Sequence, residues 1–174
     1  FVIDLASVSN PKIIGELKIP GYSTYLHPYS ASSNGVQWLI GLGYDTVTNQ
    51  RWGTQNAGVK LDLYKVDYTK KDANGMITVT QEQTKTFGGK GSETEALYNP
   101  RVFVWNPTTK QVVMPLVLSD SSMGKQCTTT YDANGNVSGE QCRDSEVYKT
   151  SFAGMKSIEI LPTGINEIAS YDYT

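Results

Sequence analysis

The feature that most constrains this chain is a strand pattern that recurs. The stretch "VIDLASV" (Val2 to Val8) matches "KLDLYKV" (Lys60 to Val66), with Asp4 and Leu5 falling on Asp62 and Leu63. "SIEIL" (Ser157 to Leu161) sets Glu159 between aliphatics in the same way. Each copy is followed by a turn and a second strand-like run, namely "PKIIGELKIPG", "MITVTQEQTKTFGG" and "INEIASYDYT". The turns hold "SNP", "DANG" and "PTG", whose Gly, Pro, Asn and Asp supply the backbone angles a hairpin needs. Two further units precede the second and third copies. "YLHPY" leads to "VQWLIGLGYD", and "EALYNPRVFVW" leads through "NPTTK" to "QVVMPLVLSD". Val36, Trp38, Ile40, Leu42 and Tyr44 alternate along one face, the period of a strand. The order predicts a four-stranded antiparallel unit, repeated.

The side chains agree. Threonine, valine, isoleucine and tyrosine fill the apolar stretches, and tyrosine outnumbers phenylalanine 11 to 4; these are strand-forming residues. No segment carries a helical period, so the fold class is all-β. The formal net charge is −2 with no dense basic stripe, which argues against a nucleic-acid partner. No apolar run approaches the roughly 20 residues that span a bilayer as a helix, and no N-terminal signal peptide is visible. The chain opens abruptly inside a strand-like pattern and reads as a piece of something longer.

The matching acids lie 58 residues apart (4 to 62) and then 97 apart (62 to 159), whereas propeller blades repeat at about 40–50 residues. The first excess is assigned to a polar loop from Asp45 to Ala57, the second to a hairpin inserted at about 119–150. A whole extra blade in the larger gap is disfavoured, because the acid-between-aliphatics pattern does not recur there. "RVFVW" and "VVMPLVL" are apolar on both faces, which calls for sheets stacked against neighbours. The expected architecture is one partial β-propeller domain of antiparallel four-stranded blades: a half blade at 1–21, a blade at 22–88, and a blade at 95–174 carrying the insertion.

On these residues the chain resembles a known family, the secreted C-terminal β-propeller domains distantly related to WD40 repeats. The resemblance is carried by "VIDLASVSNPKIIGELKIPGYSTYLHPY", "LIGLGYD", "GVKLDLYKV" and "SETEALYNPRVFVW". It covers most of the chain and leaves out the region from Cys127 to Cys142. The resemblance implies a secreted or cell-surface location and more blades than this chain holds, with no assigned activity and no cofactor. Where the family pattern would place an acid and a histidine after "EALY", this sequence has Asn99 and Pro100.

Candidate site residues follow. His27, the only histidine, lacks a partner nucleophile or orienting carboxylate in its sequence surroundings. It is expected to be structural, at the inner edge of a blade and bonded to backbone or water, and no catalytic residue is assigned. Cys127 and Cys142 bracket "TTTYDANGNVSGEQ", and two thiols without nearby histidines do not make a zinc site. A hairpin turning at "DANGN" would join them in a disulfide at its base, which agrees with an extracytoplasmic setting. Asp132, Asn134 and Asn136 space oxygens as a calcium loop would, but the glycine and final glutamate of such a loop are missing, so the stretch reads as a turn. Glu93 and Glu95, taken as i and i+2 of a strand, would share a face as a pair for glycoside chemistry. Their alternative is a solvated loop. Trp52 is either a sugar-stacking platform or a packing anchor for its loop.

The function expected from the sequence is a non-catalytic binding or scaffold surface that engages a protein or carbohydrate. Its competitors are a fragment of a carbohydrate-active enzyme and a purely structural segment of a surface protein. With about two and a half blades, two blade faces would stand open and expose rows such as Val102, Val104, Val113 and Leu116. The chain is therefore expected to associate with further blades, from sister copies or the rest of its own protein.

Overall fold

Two four-stranded sheets and one hairpin make up the architecture. A computed structural model describes residues 1–50 and 53–173, with Asn49 placed by its backbone alone. Strands β1 (Val2–Asp4) and β2 (Lys12–Gly15) pair antiparallel. Strands β3 (Tyr22–Pro28), β4 (Val36–Asn49), β5 (Gly53–Lys71) and β6 (Ile77–Phe87) form the first sheet in the order β3-β4-β5-β6. Strands β7 (Val104–Asn106), β8 (Gln111–Tyr131), β9 (Val137–Leu161) and β10 (Gly164–Asp172) form the second, in the order β7-β8-β9-β10. Every pairing is antiparallel, as short turns between consecutive strands require.

The two sheets stack face to face. Ile40, Leu42, Leu61 and Leu63 of the first sheet join Val112, Met114, Leu116, Ile158 and Ile160 of the second in one core. All nine are at most 1% exposed, and burying such a side chain contributes about 1.5–3 kcal/mol. Near the short edge strands β3 and β7 the packing turns aromatic: Tyr25 meets Phe103 edge-on at 5.4 Å and Tyr29 meets Trp105 at 5.3 Å. The other face of the first sheet is covered in part by the hairpin, whose Gly15 backs onto Ile77 and Val79 of β6.

Several expectations change. The polar stretch from Asp45 to Ala57 is not a free loop. Where it is described it prolongs β4 and β5, which stay paired out to Asn49 and Gly53. The hairpin expected at about 119–150 continues β8 and β9 as one ladder from Gln111↔Glu159 to Tyr131↔Val137. Beyond Ser119 and Thr150 the ladder has no neighbouring strand among the described residues. It is an arm roughly 40 Å long, at about 3.4 Å per residue. The run "EALYNPRVFVW" is mostly not strand: Glu95–Leu97 and Pro100–Val102 are 3-10 turns, capped by the side chains of Thr94 and Asn99.

The expected exposed row splits. Val104 is 57% exposed, but Leu116 is 1% exposed within the inter-sheet core. Residues 113 and 116 differ by an odd number along β8, so they point to opposite faces.

The repeating acid splits as well. Asp62 and Glu159 each lie between aliphatics that point into the same inter-sheet core. Each therefore points away from that core, Asp62 toward the hairpin side and Glu159 toward the opposite end of the stack. Three residues separate Lys156 from Glu159, against two from Lys60 to Asp62, and one extra residue moves a side chain to the other face of its strand. Asp4, the first acid of the pattern, is exposed on the hairpin.

Candidate functional site

His27 lies on β3, an edge strand of the first sheet. Its neighbour two residues back on the same face of β3, Tyr25, places its hydroxyl 2.8 Å from His27 Nδ1. The ring lies 5.5 Å from Phe103 and 6.4 Å from Trp105 across the inter-sheet contact. Burial lowers the imidazole pKa from its ordinary value, which keeps the ring neutral at pH 7. Its Nδ1 partner is thus a tyrosine hydroxyl. Trp105 Nε1, in the same cluster, is buried without a hydrogen-bond partner among the described residues.

Glu93 and Glu95 are both exposed, but they do not belong to one strand. Glu93 exchanges backbone hydrogen bonds of 2.8 and 2.9 Å with Val117. Glu95 opens the first 3-10 turn, and its carboxylate accepts a 2.5 Å bond from Asn99 Nδ2. Asn99, where an acid was expected after "EALY", thus holds a carboxylate itself. Both glutamates border a depression of about 230 Å³ shared with Tyr98, Val117 and Tyr173. It lies against the outer side of the second sheet. Trp52 falls outside the described residues.

A larger hollow was not visible in sequence. Between the β1–β2 hairpin and the outer face of the first sheet lies a groove of about 460 Å³, bordered by Phe1, Leu17, Leu26, Leu39, Val66 and Val79 among others. Tyr64 and Ser23 line it too, and a buried polar network continues from Tyr64. The Tyr64 hydroxyl donates to Asp62 Oδ2 at 2.6 Å and lies 3.0 Å from Ser23 Oγ. Gln81 Nε2 donates to Asp62 Oδ1 at 2.7 Å, and Lys60 Nζ donates to the Pro20 carbonyl at 2.6 Å. Burial and the Asp62 bond raise the Tyr64 pKa well above its ordinary value. The phenol therefore stays protonated and acts as a donor. Lys60, Asp62 and Tyr64 share one face of β5 through the two-residue period. The only sequence signal was the alternation of "VKLDLY".

The arm carries the disulfide. Cys127 and Cys142 are directly opposed in the ladder and bonded, as expected. They sit toward the tip, however, and not at the base, which lies at Ser119 and Thr150. The sulfurs and Glu140 lie within metal-ligand reach of one another, but sulfurs joined to each other are not thiolates and do not serve as metal ligands. Ser121↔Tyr148, Met123↔Glu146 and Cys127↔Cys142 place Met123, Tyr148 and the disulfide on one face of the ribbon. At the base Lys90 Nζ lies 2.5 Å from Glu146 Oε2, to which the Tyr148 hydroxyl also donates at 2.9 Å. Lys90 further lies 5.6 Å from the Tyr148 ring centre. These contacts fasten the arm to the loop that joins the two sheets. Lys90 and Tyr148 together hold the Glu146 pKa below its usual value.

At the tip, Asp132 Oδ1 accepts from the backbone N–H groups of Asn134 and Asn136. These bonds and a contact from the Asn136 side chain lower the Asp132 pKa. The carboxylate is thus engaged in the turn, as the turn reading requires.

A family model described as "Beta propeller domain" matches residues 1–168. The chain belongs to this β-propeller family. A 44-residue stretch, 25% of this chain, is 59% identical to an uncharacterized protein of Methanocaldococcus jannaschii. A 66-residue stretch, 38% of this chain, is 70% identical to an uncharacterized protein of Archaeoglobus fulgidus. The matched stretches span 6% and 8% of those two relatives. No solved structure matches the chain.

Proposed function

We propose that this member of the β-propeller family is a non-catalytic binding or scaffold module working outside the cytoplasm, with the disulfide-stapled arm as its contact element. The observation that carries this reading is the arm itself. Beyond Ser119 and Thr150 its residues supply nothing to the core cluster, and an isolated two-stranded ribbon is marginal in water. A disulfide and the Lys90–Glu146–Tyr148 contacts nonetheless hold it in one shape. The bonded cysteines favour an oxidising compartment. The polar groups around His27 and Glu95 are tied into local packing and capping, in keeping with a role that is not catalytic. A protein or carbohydrate surface is the partner class, and Trp52, Glu93 and Glu95 remain candidate contacts for it.

The blade assignment belongs to the same proposal. In this reading 1–21 is a half blade, 22–88 a blade and 95–174 a blade carrying the inserted hairpin. The groove beside the hairpin and the apolar outer side of the second sheet are where further blades would pack, from sister copies or from a longer chain.

The test is a photo-crosslinking residue in place of Met123 on intact cells that make the protein, with the same residue in place of Thr78 on the body as reference. A discrete adduct from the arm and none from the body supports the reading. Equal or absent labelling at both positions removes the arm as the contact element.

A further inference from the structure

Two hairpin turns in this protein have the same hydrogen bonds to a tenth of an ångström. In the turn between β5 and β6, Asp72 Oδ1 accepts from Asn74 N–H at 2.8 Å and from Met76 N–H at 2.9 Å. At the arm tip, Asp132 Oδ1 accepts from Asn134 and Asn136 at 2.8 and 2.9 Å. The backbone bonds match too. Asp72 N–H to Met76 O and Asp132 N–H to Asn136 O are both 2.8 Å, and the bonds from Gly75 and Gly135 to the aspartate carbonyls are both 3.0 Å. Gly75 and Gly135 take φ of 79° and 81°, the left-handed region that glycine enters without strain.

Met76 and Asn136 are therefore equivalent, and the turn closes fully with a side chain that has no amide. The Asn136 amide adds one contact of 3.4 Å to Asp132 Oδ2, longer than an ordinary hydrogen bond. The turn does not account for an asparagine at this position. Asn136 begins Asn136-Val137-Ser138, the acceptor sequence for N-glycosylation. Of ten asparagines no other begins one; Asn106 is followed by Pro107 before Thr108, and proline in the middle position disqualifies that sequence. Asn136, Val137 and Ser138 are all exposed, at the point of the arm farthest from the core.

We propose that Asn136 is an N-glycan attachment site. The donor class is a lipid-linked oligosaccharide. Asn136 Nδ2 forms a bond to the anomeric carbon of the first sugar and loses one proton. The bond from that carbon to the lipid phosphate oxygen breaks, and the phosphate leaves with the electron pair; nothing is oxidised or reduced. The consequence is protective. Tyr131 and Val137 beside the tip are 64% and 66% exposed, and both edges of the ribbon have free backbone groups open to pairing with another strand. A bulky polar glycan at the tip blocks that pairing.

The inference rests on the extracytoplasmic reading, so the test supplies the compartment. The whole chain, fused to a cleavable secretory leader, is produced in a host that glycosylates asparagine, and the secreted protein is mapped by peptide mass. Expected is one whole glycan on the peptide containing Asn136, lost in Asn136→Gln and, independently, in Ser138→Ala. Met76→Asn, which places the same acceptor pattern ahead of Thr78 in the twin turn, is expected to add a second glycan. Secreted wild-type protein with an unmodified Asn136 peptide overturns the proposal, whatever Met76→Asn does. A glycan that persists in Asn136→Gln overturns it as well. Fractionating cells that make the protein without the added leader separately tests the location, so the two failures are distinguishable.

Discussion

The Lys60 ammonium lies 3.4 Å from the Asp62 carboxylate, with the two side chains 3% and 1% exposed. Ions taken this far out of water are tolerable only when further bonds satisfy them. Asp62 has Tyr64 and Gln81, and Lys60 has the Pro20 carbonyl. Asp62→Ala strands a buried ammonium and is expected to cost about 3–5 kcal/mol. Replacing both by apolar residues of similar size, Lys60→Met with Asp62→Leu, is expected to cost far less. Urea unfolding of the two variants checks this through their midpoints. Equal losses in both would show that the pair is not compensated as described.

Removing the disulfide with Cys127→Ser and Cys142→Ser is expected to loosen the arm and spare the stacked sheets. The closed loop separates the cysteines by 15 residues, for which chain entropy gives about 3 kcal/mol. Amide exchange should quicken between residues 119 and 150 and stay slow in β4, β5 and the core half of β9. Non-reduced wild-type protein should weigh two hydrogens less than its reduced form.

His27→Gln should leave intact whatever binding activity is found, since the imidazole's role is to fill the aromatic contact between sheets. Phe103→Ala should be the worse change, costing about 3–5 kcal/mol as large aromatic truncations do. Thermal unfolding ranks the two, and a hundredfold loss of a measured turnover in His27→Gln would return the residue to catalysis.

The arm's base should respond to acid. Glu146 has its pKa lowered from 4.5 by the hydrogen bonds from Lys90 and Tyr148. A carboxylate depressed in the folded state contributes stability above its unfolded value and loses it as pH falls through the folded one. Exchange in the arm should therefore rise below about pH 4.5, and Glu146→Gln should remove that dependence. An arm equally rigid at pH 3 and pH 7 would falsify this account.

The isolated 174-residue chain is expected to self-associate or to bind a hydrophobic dye. Phe1, Ile3, Leu5 and Ile13 of the hairpin are 54–80% exposed and Val104 at the other end of the stack is 57% exposed, an arrangement that invites association. Light scattering decides it, and a monodisperse, dye-free monomer would count against open blade faces.

How much of this was legible in the sequence depends on distance along the chain. The strand-turn-strand order was readable because hairpins are local: "DANG" at Asp72 and again at Asp132 brings its own turn bonds, and the second turn sets Cys127 opposite Cys142 without help from elsewhere. The four-stranded units and the all-β class follow from such local steps in series. The order of β3 to β6 as successive antiparallel strands was readable for the same reason.

What the sequence could not decide was which way each side chain points once two sheets are stacked. Asp62 and Glu159 look alike in their five-residue surroundings, yet one faces the hairpin and the other the far end of the stack. Side-chain direction alternates with every residue, so a single extra position reverses it, and only the partner sheet shows which face is inside. Leu116 was misread for that reason, and Lys90, Glu146 and Tyr148 went unnoticed because 56 residues separate Lys90 from Glu146. Sequence determined the hairpins, since their bonds lie within a few residues. Tertiary packing alone determined the groove, the burial of the Lys60–Asp62 pair and the anchored arm, since each needs segments far apart in the chain: the hairpin beside the first sheet, Pro20 beside Lys60, and Lys90 beside Glu146.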